Sequence, residues 1–150
     1  MSEANKDVFR GVILWSVLTL GGYLLFRYDM LWLTCLLWAS FFDSVLDILD
    51  FHFTESYFNK LNPKFWNPEI SWQNKWKDLG TGKEKFLGSS TIFVFVTDAW
   101  HLAKFLMIKC IVFAVITYHV IFNWWADGLI ALSAWGIIFS VFYFLYKRGK

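Results

Sequence analysis

Four apolar runs, at about residues 11–27, 30–50, 105–125 and 129–146, constrain this chain more than anything else in it. A helix rising 1.5 Å per residue needs about 20 mostly apolar residues to cross the hydrocarbon of a bilayer. Inside lipid every backbone N–H and C=O must be satisfied within the segment, which restricts runs of this kind to helices. The composition agrees, with 57% of the 150 residues hydrophobic and 10 Trp and 17 Phe available to anchor the interfaces. The expectation is an all-α polytopic membrane protein, a single integral domain of four transmembrane helices in two hairpins.

Orientation follows from the basic residues. Lys6 and Arg10, six lysines between Lys60 and Lys85, and Lys147, Arg148 and Lys150 form three groups, whereas the two short turns offer only Arg27. The positive-inside rule then places both termini and the central loop in the cytoplasm, with the chain in the cell membrane. The polar start, Met1 to Asp7, and the lack of a small-x-small site before the second apolar run predict no cleavable signal. A net charge of +2, without a basic tract on a soluble domain, makes nucleic acid an unexpected partner.

No strong helix breaker stands between Phe51 and Pro63, so the second helix is expected to extend past the bilayer to about Asn59 or Leu61. The third is expected to begin near Ser90 and close on Trp124-Trp125, with Asp127-Gly128 as the outer turn. Gly21-Gly22 would allow close helix approach, and Ser133, Gly136 and Ser140 form a small-residue stripe expected to pack on another helix. Cys35 and Cys110 are expected to lie about 15 Å apart in depth, too far for a disulfide.

Residues 62–90 form an amphipathic loop. Trp66, Trp72 and Trp76, with Lys75 and Lys77 among them, suit a segment resting on anionic lipid headgroups. The stretch from Asp78 to Ser90 is expected to be mobile. Gly80-Thr81-Gly82-Lys83 is no phosphate loop: the spacing is wrong and Glu84 stands where Ser or Thr is required.

Chemistry concentrates at the inner end of the second span, where Asp43, Asp47, Asp50, His52 and Glu55 fall within a few helical turns. Carboxylates at the edge of hydrocarbon are costly and ordinarily have partners or a task. At about 100° per residue Asp43, Asp47 and Asp50 share one stripe, with His52 nearly opposite. On the third span Asp98, His101 and Lys109 share a face. If the two spans are antiparallel neighbours, Asp47 levels with Lys109, and an Asp47–Lys109 salt bridge is expected.

Two readings of this constellation stand beside each other. One is structural, with Asp47 or Asp43 neutralising Lys109. The other is a cation or proton site: Asp43, Asp47, Asp50, Asp98 and His101 as ligands for a divalent metal ion such as Mg²⁺, Mn²⁺, Fe²⁺ or Zn²⁺, with Asp47, Asp98 and His101 as the catalytic groups. Three function classes follow: an enzyme acting on a lipid-linked or interfacial substrate, an oligomeric ion- or proton-coupled transporter or channel, and an accessory subunit. Expected partners are the bilayer, anionic headgroups, and a second copy of the chain or another membrane protein.

Overall fold

The computed structural model describes residues 15, 16, 19, 21–23 and 29–147. Within them three helices are long and apolar enough to cross a membrane: α1 (Leu31–Phe51), α2 (Ala99–Thr117) and α3 (Trp124–Tyr146). The expected first span lies mostly outside the described residues. Those that are described, Trp15, Ser16, Thr19 and Gly21–Tyr23, are helical. The Trp15 ring lies 5.2 Å from Trp38 and 5.5 Å from Phe41. At the other end a Cβ on Gly22 would stand 3.3 Å from Thr34 Cγ2, so this glycine admits the close approach its sequence suggested.

α1 is the central helix, packed against both α2 and α3. Its residues from Ala39 to Leu49 are buried around most of the circumference, Ser40 and Ser44 among them. A buried hydroxyl is tolerated because it finds a carbonyl: Ser44 Oγ donates to Phe41 O at 2.7 Å, and Ser40 Oγ crosses to Trp135 O of α3 at 2.7 Å. Phe41 and Phe142 meet edge to face at 4.6 Å in the same core. α1 runs antiparallel to α2, pairing Trp32 with Tyr118 at one end, and parallel to α3, pairing His52 with Lys147 at the other.

Several expected boundaries are corrected. α1 stops at Phe51 rather than running to Asn59 or Leu61. His52 still donates to Ile48 O, but Ser56 is extended and forms a bridge with Lys147 after α3, so pairing between helix ends overrides helix propensity. Single 3₁₀ turns fill residues 53–60. α2 starts at Ala99, not near Ser90, because Asp98 caps it. It ends at Thr117, and Trp124-Trp125 opens α3 instead of closing α2. The connecting turn is therefore Tyr118–Asn123, not Asp127-Gly128.

Asp127 explains that turn. Its carboxylate, 1% exposed in the first turns of α3, accepts from Ile121 N at 2.9 Å and Phe122 N at 3.2 Å, with the Tyr118 hydroxyl at 3.4 Å. Asn123 caps the helix through Ala126 N. Loop amides that hydrocarbon would leave unbonded are satisfied by one side chain.

The loop between α1 and α2 is also ordered by specific bonds. Asn62-Pro63 and Asn67-Pro68 each start one helical turn, with the Asn side chain accepting from Lys64 N and Glu69 N respectively. Where mobility was expected, β1 (Trp76–Asp78) and β2 (Lys83–Glu84) pair antiparallel. Glu84 then brackets the return: Gly88 N, Ser90 N and the Ser90 hydroxyl all donate to it. These donors, the Ser90 hydroxyl first, hold its carboxyl below the ordinary 4.5.

The Ser133, Gly136 and Ser140 stripe does not pack on another helix among the described residues; all three are exposed, and a Cβ on Gly136 would meet nothing within 4 Å. Cys35 and Cys110 are both free and half-buried.

Candidate functional site

The site grows from the start of α2. Thr97 and Asp98 are buried, and Asp98 has extended backbone, φ −152° and ψ 163°, as a helix N-cap requires. Its Oδ1 accepts from His101 N at 2.9 Å. The same carboxylate holds the His101 ring, with Nδ1 at 2.7 Å from Oδ2 and 2.9 Å from Oδ1. The Thr97 hydroxyl stands 3.2 Å from Oδ2. One short stretch, Thr-Asp-x-x-His, thus supplies a helix cap and an oriented imidazole together.

Exposure is divided sharply across the pair. The Asp98 side chain is 2% exposed and the His101 side chain 30%. Nδ1–H faces the carboxylate, which leaves Nε2 without a partner among the described residues. An imidazole held this way has one tautomer favoured and its outer nitrogen available to take or give a proton. Trp100 flanks it edge-on at 5.0 Å, and Lys104 Nζ sits 4.5 Å over the Trp100 ring.

The ordered loop supports this end of α2. Lys85 Nζ donates to Asn74 Oδ1, and Asn74 Nδ2 donates to Thr97 O. The Ser89 hydroxyl donates to Lys75 O at 2.7 Å, tying the two sides of the hairpin together. Asn74 carries no sequence signal beyond its polarity, because its importance comes from a contact across 23 positions.

A different face of α2 bounds a cavity of about 200 Å³, which neither Asp98 nor His101 lines. Ala99, Leu102, Ala103 and Leu106 of α2 form one wall, Phe41, Phe42 and Val45 of α1 another. Phe58, Phe65 and Trp66 come from the loop, and Trp15 and Tyr146 complete it. Trp66 stacks on Phe58 at 4.7 Å, so it belongs to this wall and not to a headgroup-resting surface. Trp72 and Lys77 are exposed, while Trp76 and Lys75 are half-buried, with Lys75 Nζ 5.7 Å from the Trp76 ring.

The acidic stripe of α1 does not join the Asp98–His101 pair. Asp43 is half-buried, with the Trp135 side chain of α3 facing its carboxylate. Ser40 and Asp43 thus both meet Trp135, Ser40 by donating to its carbonyl and Asp43 beside its indole. Asp47 is half-buried and Asp50 exposed. Lys109 is exposed and lies 5.2 Å over the Phe105 ring, so the Asp47–Lys109 pair is not formed. The Trp32–Tyr118 contact explains why: its register levels Asp47 with the region of Ala103, more than a turn from Lys109. His52 turns to Lys147, with Nε2 3.3 Å from Nζ, and His119 is exposed. Among the described residues no three His, Cys, Asp or Glu side chains converge as a metal site would need. Asp43, Asp47, Asp50, Asp98 and His101 therefore do not form one ligand set. The chain matches no known protein family, no curated protein and no solved structure.

Proposed function

We propose that this chain is a four-span membrane protein that performs general acid–base chemistry on a lipid-linked or membrane-interfacial substrate through Asp98 and His101. Both termini and the Lys-rich loop face the cytoplasm in this reading. One observation carries it: an imidazole bonded through Nδ1 to a buried carboxylate, with Nε2 unpartnered among the described residues. A fixed acid or base at the end of a membrane-length helix suits a substrate presented at the interface. Acid–base chemistry is preferred over a divalent-metal site because Asp43 interacts with Trp135 of α3 and no three ligand side chains converge among the described residues. The contacts of Trp15 with Phe41 and of Gly22 with Thr34 support a fourth span beside α1, and the Lys and Arg distribution supports the orientation.

The test compares lipid extracts from membranes carrying the wild type, His101→Gln and Asp98→Asn. The wild type is expected to deplete one lipid class, and His101→Gln to slow that depletion by about 10²- to 10⁴-fold, the usual worth of a positioned acid or base. Identical lipid profiles for wild type and His101→Gln would overturn the proposal.

A second reading, an accessory subunit or a homo-oligomer, is favoured by a different feature. The Ser133, Gly136 and Ser140 stripe is exposed on α3, and small residues permit close packing of a second membrane helix. Gly136→Leu would then dissociate a complex seen by cross-linking in native membranes, while an unchanged cross-linking pattern removes this reading.

A further inference from the structure

At the end of the bundle opposite the Asp98–His101 pair lies a second cavity, of about 230 Å³, between the start of α1, the end of α2 and the start of α3. Trp32 lines it and is 3% exposed, yet its indole N–H is a buried donor with no acceptor among the described residues. A buried polar group left unbonded is costly, and rare enough to need an explanation. Tyr118 covers the Trp32 ring edge-on at 5.3 Å and reaches Asp127 through a hydrogen bond of 3.4 Å, long enough for a modest swing of the ring to uncover the indole. The rest of the wall is apolar, from Leu36, Ala114, Val115 and Ala131.

We propose that this cavity binds the ester end of a bilayer glycerolipid, its carbonyl oxygen accepting from Trp32 Nε1 and its acyl chain lying along Leu36 and Ala131. The site lacks an acceptor and therefore selects one. It also selects a neutral one, because the Asp127 carboxylate in the same wall would repel a fatty-acid anion. Trp124 lines the cavity and stacks on Trp125 at 4.4 Å; indoles of this kind mark the interface, which is the level of glycerolipid esters. The proposal rests on these helices lying in a bilayer and is independent of chemistry at His101.

The full-length protein is stripped of lipid in detergent and titrated with dioleoylphosphatidylcholine, its diether analogue, which has the same chains without carbonyls, and methyl oleate. Bound lipid is counted by native mass spectrometry. One hydrogen bond predicts about a fivefold preference for diester over diether in the wild type. Trp32→Phe, which keeps the ring and removes the N–H, should abolish that preference without affecting diether binding. Gly128→Leu projects into open space at the cavity wall and should lower binding of both lipids. Should Trp32→Phe fail to fold, the wild-type preference and the fall in binding of both lipids in Gly128→Leu decide the matter. Equal binding of diester and diether, a preference that survives Trp32→Phe, or binding of methyl oleate alone would each overturn the assignment, the last by replacing a bilayer lipid with a free ester. Loss of depletion in His101→Gln membranes bears on the other end of the molecule only.

Discussion

Replacing Asp127 with Ala should loosen the turn between α2 and α3 before it affects anything else. The carboxylate is 1% exposed and accepts from Ile121 N at 2.9 Å and Phe122 N at 3.2 Å. A hydrogen bond to a charged acceptor contributes about 1.5–3 kcal/mol. Phe122 is exposed, so its N–H can turn to water or headgroups and counts at the low end, while Ile121 is half-buried and counts for more. The Tyr118 hydroxyl at 3.4 Å adds little. The expected loss is about 2–4 kcal/mol, which for a chain of this size corresponds to a fall in Tm of about 5–12 °C. Near-ultraviolet circular dichroism of the detergent-solubilised protein reads this directly, because Trp32, Tyr118, Trp124 and Trp125 all lie beside the turn. Asp127→Asn retains one acceptor and should lose about half as much. An Asp127→Ala protein melting within about 1 °C of wild type would refute the view that this side chain organises the turn.

Trp135→Phe removes the indole that faces Asp43 and should cost about 1–3 kcal/mol, with Trp135→Phe/Asp43→Leu recovering part of it in a double-mutant cycle; strictly additive losses would show the contact to be inert. Glu84→Gln should raise tryptic cleavage at Lys83 and Lys85 severalfold at neutral pH, since the ionised carboxylate holds Gly88 and Ser90. The carboxyl is held below its ordinary 4.5, so the Glu84 contribution is complete above that pH and is lost as pH falls through the lowered value; loosening of the loop that begins near neutral pH would contradict the assignment. In a Cys35→Ala/Cys110→Ala background, Lys83→Cys and His119→Cys should label from opposite sides of intact membranes, and labelling of both from one side would sink the proposed topology.

The helical, membrane-spanning character of the chain was legible because it needs only length and hydropathy, which are local. The boundaries were less so. Nothing in residues 51–61 opposes a helix by propensity; α1 ends there because Ser56 pairs with Lys147 across the bundle. Likewise, placing the outer turn at Asp127-Gly128 treated an Asp-Gly pair as a turn signal, when Asp127 caps a turn several residues earlier. Asp98 and His101 could be picked out because their three-residue spacing brings cap and ring together on one helix turn. The ligand set drawn around them could not be judged from sequence, since it depended on register between two helices. The actual register sends Asp43 to Trp135, a residue with no charge to draw attention to it.

Asp98 and Asp127 make the functional division clear, because they begin from the same physics. Each is about 1% exposed near the N-terminal end of a transmembrane-length helix, where a carboxylate meets unpaired amides and the positive end of the helix dipole. α2 and α3 are successive and antiparallel, so the two carboxylates occupy opposite ends of the bundle. Asp127 directs its oxygens to backbone amides of the preceding turn and to a phenol, groups that do not exchange protons near neutral pH. Asp98 binds one amide and the Thr97 hydroxyl, and also holds an imidazole whose far nitrogen has no partner among the described residues. The difference arises from what stands three positions into the helix: Ala126 after Asn123 in α3, His101 after Asp98 in α2. Only the second arrangement couples a buried carboxylate to a side chain that can both take and give a proton.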